Sequence, residues 1–213
     1  EKDTNGRFLL KKGADTGKDQ SYVLYVLNQQ QLSHSVFPLG NLCKSEIREI
    51  AENLGFINAN RKDSQDICFV PDGDYAAFIE KRTGKTYPYG NFVTREGKVL
   101  GEHKGIIRYT VGQRKGLGLA LPAPMYVCEK DVANNRVILS DNESLFTKTL
   151  TAKNINLIPF DKINSSIRVK AKVRYKHQEQ WATAHQTDED TLFLEFDEPV
   201  RAIAKGQSLV MYD

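Results

Sequence analysis

The final third of the chain consists almost entirely of short strand-like segments. From about residue 150, runs such as "SIRVKAKVRY", "QWATAHQT", "TLFLEFDE" and "QSLVMY" follow one another with polar turns between them. Short alternating runs at this density are typical of a small antiparallel barrel, in which each strand finds its neighbour through a short connection. We therefore predict an antiparallel β-barrel over residues 146–213.

Two other patterns precede this one. Residues 18–55 carry apolar side chains at three- and four-residue spacings, which predicts helices. Residues 66–145 alternate short apolar runs with Gly, Pro and Asn around one helical stretch, "GDYAAFIEKRTG". Hairpin turns are predicted at Glu96-Gly97 and at Asn134-Asn135. The sequence thus predicts a multidomain α+β protein with boundaries near residues 65 and 145.

One helix is predicted in detail, within "PLGNLCKSEIREIAENLGF". Ser45 is the expected N-cap, and Gly55 is expected to end the helix. Ile47, Ile50 and Leu54 fall on one side of it, and we expect this stripe to be buried.

Cysteine and histidine spacing excludes some classes of protein. The three cysteines, at positions 43, 68 and 128, form no disulfide framework of a secreted domain, so we expect a reducing, cytoplasmic setting. The four histidines lack HExxH spacing and a CxxC partner, so no structural metal is predicted. No run approaches the ~18 apolar residues of a membrane span, and no membrane partner is expected.

Cys68 lies in "KDSQDICFV", between an acidic turn-forming run and a short apolar run. Free cysteine is among the most buried residue types, and Ile67 and Phe69 flank this one. A reactive cysteine needs a stabilised thiolate and access to solvent. Asp63 and Asp66 disfavour a thiolate, although Arg61 and Lys62 could offset them. The local sequence therefore favours a core cysteine over a reactive one.

A row of cations alternates with apolar residues in "IRVKAKVRYKH": Arg168, Lys170, Lys172, Arg174 and Lys176. In one strand, alternate side chains share a face at ~6.5–7 Å spacing. We call these five residues the cationic row. It is predicted either to follow a phosphate backbone, giving affinity without sequence discrimination, or to be a solvated outer face that prevents aggregation.

The glycine-rich stretch "YTVGQRKGLGLA" joins Gly112, Gly116 and Gly118 to Arg114 and Lys115. Neither the GxxxxGK[ST] of a P-loop nor a GxGxxG is present. Permissive glycines beside cations suit a loop close to a polyanion, but the stretch taken alone favours a tight turn between strands.

Several motifs together give the sequence a family resemblance. They are "GKDQSYVLYVL", "FPLGNLCKSEIREIAENLG", "KDSQDICFV", "GEHKGIIRYTVGQRKGLG", "YVCEKDVANNRVIL", "VKAKVRY" and "FDEPVRAIAKGQSLVMY". In this order and approximate spacing they resemble the bacterial tRNA-specific 2-thiouridylases over nearly the whole chain.

The resemblance implies a domain order. Residues 1–65 would be the helical tail of an α/β PP-loop ATPase (adenylating) domain, 66–145 a small β-rich central domain, and 146–213 a truncated antiparallel β-barrel. The family's PP-loop, Ser-Gly-Gly-x-Asp-Ser, and its first catalytic cysteine, in Asn-Pro-Asp-x-x-Cys, do not occur in this sequence, which also lacks an initiator Met. We expect an excerpt of a longer protein, with ATP and Mg held outside it.

The resemblance also implies a reaction. Sulfur replaces oxygen at C2 of the wobble uridine, U34, in tRNAs for lysine, glutamate and glutamine, after ATP has adenylated that oxygen. Cys68 matches the family's second catalytic cysteine, a persulfide carrier loaded by a sulfur-relay protein or a cysteine desulfurase. Either its terminal sulfur attacks the base, or hydrosulfide is released as the partner cysteine closes a disulfide. Asp66 stands where the family often has glycine, which puts the backbone conformation beside Cys68 in question.

The residues that match the family's tRNA contacts are Lys18, Asp19, Gln20, Arg174, Tyr175 and Gln207. A helix N-cap for Asp19 and a turn position for Gln207 are the structural alternatives, and both can coexist with RNA contact. Two other functions stay open: a non-enzymatic RNA-binding module in which Cys68 is core, and a cysteine hydrolase with His103 as base, which lacks a recognisable nucleophile motif.

Overall fold

The chain divides into two compact units in a computed structural model that describes residues 1–61, 70 and 72–213. Unit 1 comprises Glu1–Asp63, Thr149–Glu198 and Gln207–Asp213, and unit 2 comprises Ser64–Lys148 and Pro199–Gly206. The helices are α1 (Ser21–Leu24), α2 (Gln29–Ser33), α3 (Lys44–Asn53) and α4 (Tyr75–Thr83). The strands are β1 (Gly90–Val93), β2 (Val99–His103), β3 (Tyr126–Asp131), β4 (Arg136–Ser140), β5 (Phe146–Lys153), β6 (Ile167–Lys172), β7 (Gln180–Asp188), β8 (Thr191–Arg201) and β9 (Val210–Tyr212). Among the described residues, no helix has the length and apolar character to cross a membrane.

Unit 2 contains a four-stranded sheet in the order β2-β1-β4-β3. The β1–β2 and β3–β4 pairs are antiparallel, and β1 and β4 run parallel. Both predicted hairpins are confirmed: the first turn ends at Gly97, whose φ is +87° and whose N–H donates to the Thr94 carbonyl at 3.0 Å. Asn135 takes a φ of +51° in the second turn, a conformation that asparagine tolerates better than most residues.

The core of unit 2 lies on one face of this sheet. Phe92, Val127 and Val137 are completely buried, and the rings of Phe92 and Tyr109 meet edge to face at 5.0 Å. His103 is also completely buried, 5.5 Å from the Phe92 ring. Alternation of apolar residues along β4, together with Phe92 of β1, therefore produces a conventional packed core.

The second sheet has five strands in the order β5-β8-β7-β6-β9. Its β6–β7, β7–β8 and β6–β9 pairs are antiparallel, and Val169, Ala182 and Leu194 lie on its buried side. A multidomain α+β architecture with two sheets is thus confirmed. No pairing among the described residues joins β5 to β9, so a closed barrel stays a prediction.

Helix α3 departs from its prediction in two ways. The N-cap is Cys43 rather than Ser45, because Cys43 has the extended φ/ψ and its N–H donates to the Glu46 carboxylate at 2.6 Å. The apolar stripe is not buried: Ile50 is 47% exposed and Leu54 66%, since no element of the described chain covers it. Gly55 ends the helix in the left-handed region, as predicted.

Candidate nucleic-acid interface

An arginine near the N-terminus fixes the first residues of unit 1 onto the connection between β5 and β6. Arg7 donates from Nε to the Ile158 carbonyl at 3.1 Å and from Nη2 to the Phe160 carbonyl at 3.1 Å. Its Nη1 also pairs with the Asp161 carboxylate. The planar guanidinium satisfies several carbonyls at once, which an ammonium could not do in the same geometry.

A second anchor comes from Gln29, in the first turn of α2. Its side-chain amide donates to the carbonyls of Phe8 and Ile158, at 2.8 and 3.0 Å, and its Oε1 accepts from the Phe8 N–H at 2.8 Å. Asn156 donates to the Tyr25 carbonyl at 2.7 Å. These bonds hold the segment around α1 against the connection between β5 and β6.

Asp19 organises the chain just before α1. Its carboxylate accepts from the N–H groups of Gly13 and Ser21 at 3.0 and 3.2 Å and from the Ser21 hydroxyl at 2.5 Å. Burial alone would raise the pKa of Asp19, but these hydrogen bonds and the charge of Lys172 hold that pKa below its ordinary value. The carboxylate therefore stays ionised and fixes the backbone of Gln20, which occupies the N-cap position of α1.

Gln20 and Tyr175 meet although they lie 155 residues apart in the sequence. The Gln20 amide donates to the Tyr175 hydroxyl at 3.1 Å, and that hydroxyl lies 3.5 Å from the Asp19 carbonyl oxygen. The Tyr175 ring packs edge to face on Tyr22 with centroids 5.9 Å apart. Gln20 and Tyr175 nevertheless stay exposed, so their polar edges are available to a ligand.

The loop before β9 joins the same neighbourhood. The Tyr22 hydroxyl donates to the Ser208 carbonyl at 2.8 Å, and the hydroxyls of Tyr25 and Ser208 lie 2.8 Å apart. Gln207, the preceding residue, is exposed and follows a turn. The two roles predicted for Gln207, a turn position and an RNA contact, are therefore compatible.

The residues predicted to contact tRNA thus belong to segments that converge in unit 1. We call them the polar cluster: Lys18, Asp19, Gln20, Arg174, Tyr175 and Gln207. Gln20 and Tyr175 are in direct contact, and Arg174 lies near enough to Tyr22 for its charge to oppose the rise in the Tyr22 pKa that burial causes. Cys68 and Asp66 lie outside the described residues.

The cationic row does not run along one strand, contrary to the sequence prediction. Strand β6 ends at Lys172, and the chain then bends into a turn closed by the His177 N–H donating to the Arg174 carbonyl at 3.1 Å. Arg168, Lys170 and Lys172 alone keep the strand alternation. The turn carries Arg174 and Tyr175 toward α1. The contact between Tyr175 and Gln20 explains why the alternation stops there.

Sequence reasoning missed one cation–aromatic contact beside the polar cluster. The Lys12 ammonium lies 4.4 Å from the centre of the Tyr212 ring and 2.8 Å from the Glu179 carboxylate. The hydroxyls of Ser21 and Tyr212 lie 3.3 Å apart. The partners are far apart in sequence, and no local pattern indicates them.

The glycine-rich loop of unit 2 is a tight turn built around Gln113. The Gln113 side chain accepts from the Thr110 N–H and donates to the Lys115 carbonyl, both at 3.0 Å. Gly112 and Gly116 have φ values of +90° and +75°. Arg114 borders an open pocket of about 390 Å³ that Leu117, Leu119 and Met125 also line, and Arg114 itself is exposed.

Neither a metal site nor a hydrolase site emerges from the described residues. They contain no group of three or more His, Cys, Asp or Glu placed to hold a metal ion. His103 is enclosed in the core of unit 2, and its Nε2 lies 3.2 Å from the Asn135 carbonyl. Burial lowers its pKa, and the histidine is not accessible as a general base for an external substrate.

Comparisons with known proteins agree with the motifs. Models of a tRNA methyl transferase HUP domain, a tRNA methyl transferase PRC-barrel domain and an aminomethyltransferase β-barrel domain match residues 1–72, 76–141 and 147–213.

Curated relatives match across the three regions. The tRNA-specific 2-thiouridylase MnmA of Clostridioides difficile (strain 630) is 49% identical over 214 residues, which are 100% of this chain and 59% of that protein. The MnmA 1 of Thermoanaerobacter sp. (strain X514) is 49% identical over 98% of this chain and 57% of its own length. The MnmA of Acetivibrio thermocellus is 47% identical over 99% of this chain and 59% of its own length. The chain thus spans less than two thirds of these relatives, and it belongs to the family of tRNA-specific 2-thiouridylases.

Proposed function

We propose that this chain is part of a tRNA-uridine 2-sulfurtransferase and that unit 1 holds the tRNA through the polar cluster. Membership of the 2-thiouridylase family supports the activity. The observation that carries the binding site is the 3.1 Å hydrogen bond between Gln20 and Tyr175. This bond joins two segments of the predicted tRNA contact, residues 18–20 and residues 174–175, into one exposed surface.

The chemistry of the polar cluster suits RNA. Lys18 and Arg174 supply positive charge for phosphate oxygens, which sets the position of an RNA but reads no sequence. Gln20 and Gln207 present amide groups that both donate and accept hydrogen bonds, as base edges and the 2′-hydroxyl require. Asp19 and the Tyr22–Tyr175 ring contact fix Gln20 and Tyr175 before RNA binds. Binding would therefore cost these two side chains little conformational freedom.

In the proposed reaction the terminal sulfur of a Cys68 persulfide replaces the C2 oxygen of U34. A new C2–S bond forms, and the C2–O bond breaks with the oxygen leaving on AMP. The sulfur–sulfur bond breaks when a partner cysteine closes a disulfide with Cys68, either after direct attack on the base or as hydrosulfide is released. The sulfur would come from a relay protein or a cysteine desulfurase, and the substrates would be tRNAs for lysine, glutamate and glutamine.

ATP, with Mg, would supply the adenylation that makes the uridine oxygen a leaving group. No residue of this chain is assigned to ATP. In this proposal residues 1–65 complete the adenylating domain, 66–145 form the central domain and 146–213 the tRNA-binding barrel, so the chain alone should be inactive.

Thiolation of a lysine tRNA transcript by the full-length gene product tests the proposal. Cys68→Ser should abolish 2-thiouridine, measured by mass spectrometry of nucleoside digests, because serine cannot carry sulfane sulfur. The matched control is Cys43→Ser, at an exposed helix N-cap where serine is well tolerated. Normal thiolation by Cys68→Ser contradicts the catalytic role, and the absence of thiolation by the unsubstituted protein favours the alternative of a non-enzymatic RNA-binding module.

A further inference from the structure

The outer face of the five-stranded sheet carries an exposed tryptophan in a row of cross-strand neighbours. Trp181 on β7 is paired with Lys170 on β6, and Lys170 is paired in turn with Tyr212 on β9. Directly paired residues of antiparallel strands share a face of the sheet. Trp181, Lys170 and Tyr212 therefore form a continuous line across three strands.

Trp181 is exposed in a way that packing does not explain. The indole is 48% exposed, whereas the next residue, Ala182, is completely buried on the opposite face. Tyr212, at the other end of the line, has the Lys12 ammonium 4.4 Å from its ring centre, and its hydroxyl lies 3.3 Å from the Ser21 hydroxyl. The Tyr212 end of the line is thus hydrogen-bonded within the chain, whereas the Trp181 end remains about half exposed.

The charges around Trp181 are not equivalent. Arg168 and Lys170 lie 5.5 and 5.3 Å from the centre of the indole ring. Arg168 is neutralised by the Asp197 carboxylate, which accepts two hydrogen bonds at 2.8 and 2.7 Å. Lys170 has no carboxylate partner within the described part of the chain. An uncompensated ammonium therefore lies beside an exposed aromatic ring.

We propose that Trp181 and Lys170 form a subsite for an unpaired nucleotide of the tRNA substrate, with the base stacked on the indole and the adjoining phosphate bound by Lys170. Aromatic stacking beside a cation is the usual means by which proteins hold unpaired bases without reading their sequence. The inference rests on the proposed function, and it extends the tRNA-binding surface beyond the polar cluster.

Continuity with the polar cluster supports the choice of RNA. Lys172 lies two residues beyond Lys170 on the same strand, about 6.6 Å away along it. The charge of Lys172 acts on Asp19 of the polar cluster. A single RNA strand bound at Gln20 and Tyr175 would thus meet Lys172, then Lys170 and Trp181. If the contact between Trp181 and Lys170 only stabilised the sheet, the exposure of the indole would have no role.

The chain contains one tryptophan, so indole emission, excited selectively over the tyrosines, reports on this subsite alone. We would titrate the 213-residue chain with an unmodified lysine tRNA transcript and follow both Trp181 emission and binding by filter retention. Base stacking should quench the emission and shield the indole from acrylamide, with the same midpoint as binding. Saturated binding without a change in emission or shielding overturns the inference.

Variants separate this subsite from the polar cluster. Trp181→Ala should weaken tRNA binding about tenfold, and Trp181→Phe should retain most of the affinity because phenylalanine still stacks. Phe160→Ala removes another exposed aromatic ring of unit 1 and should leave affinity unchanged. Circular dichroism of each variant reports its folding.

The pattern of losses distinguishes the two proposals. If Tyr175→Ala weakens binding and Trp181→Ala does not, the nucleotide subsite is wrong and the polar cluster stands. If Trp181→Ala weakens binding and Tyr175→Ala does not, the subsite stands without the polar cluster. A folded Trp181→Phe variant that binds as weakly as Trp181→Ala contradicts stacking.

Discussion

Residues 1–57 of unit 1 and the four-stranded sheet of unit 2 both show regular apolar spacing, yet they bury their side chains very differently. In unit 2, Phe92, Val127 and Val137 are wholly removed from solvent. In α3 no side chain is buried, and Ile50 on its apolar stripe remains exposed. The same kind of sequence pattern therefore gives a core in one region and an open face in the other.

The helical region buries few apolar side chains, Tyr22 and Leu32 among them, and hydrogen bonds fix much of the rest. Arg7, Gln29 and Asp19 together bind carbonyl and amide groups of the surrounding loops in unit 1. Such contacts fix the position of a segment but contribute less to stability than a packed core does. Apolar periodicity thus predicts a helix and its orientation, while burial depends on whether another element of the chain covers that face.

The largest expected effect is on the core of unit 2. Phe92→Ala removes a completely buried ring in contact with His103 and Tyr109, and it should lower the free energy of unfolding by about 3–5 kcal/mol. Urea denaturation followed by circular dichroism measures this. The matched control is Phe56→Ala, because Phe56 is 58% exposed and its removal should cost less than about 0.5 kcal/mol.

A smaller loss is expected at the polar anchor of unit 1. Arg7→Ala removes the donor to the Phe160 carbonyl and one of the two donors to the Ile158 carbonyl, which keeps only Gln29, and it should cost about 1.5–3 kcal/mol. Limited proteolysis within residues 1–57 should accelerate. Arg7→Lys should not restore the protection, since an ammonium lacks the planar fork; full rescue by lysine would show that charge alone holds the segment.

The buried histidine predicts a pH dependence confined to unit 2. Burial lowers the pKa of His103 in the folded state, so below about pH 6.5 the unfolded chain binds a proton that the folded chain does not. Stability should therefore fall as the pH decreases below about 6.5, by at most ~1.4 kcal/mol per pH unit for one site. His103→Phe should flatten this slope in urea denaturation between pH 5 and 7; an identical slope would assign it to other groups.

The smallest effect is expected on the open face of α3. Ile50→Ala should change the free energy of unfolding of this chain by no more than about 0.5 kcal/mol, because the side chain has little packing to lose. Thermal denaturation of the two proteins provides the comparison. A loss of about 2 kcal/mol or more would mean that the stripe is covered in solution, and the contrast with unit 2 would then disappear.

Local patterns were enough to predict much of the secondary structure. Gly97 and Asn135 mark hairpins because their positive φ angles suit the residues that the turns contain. Gly55 marks the end of α3 for the same physical reason. Alternation along β6 placed Val169 on the buried face. Each of these features is decided by residues only a few positions apart.

Contacts between distant segments were not predictable in the same way. The hydrogen bond from Gln20 to Tyr175 spans 155 residues, and nothing near Lys172 indicates that β6 ends there. The exposure of Trp181 depends on how three strands are paired. The residues of the polar cluster were found by resemblance to a family, and only the fold shows that their segments converge.

The dissociation constant for tRNA tests the polar cluster most directly. At one fixed salt concentration, Tyr175→Ala should weaken binding of an unmodified lysine tRNA transcript about tenfold, or ~1.4 kcal/mol, because it removes a ring and the partner of Gln20. Lys162→Ala, an exposed charge of unit 1 outside the cluster, should have a much smaller effect. Equal affinities for the unsubstituted chain and Tyr175→Ala would contradict the proposal that this surface holds the tRNA.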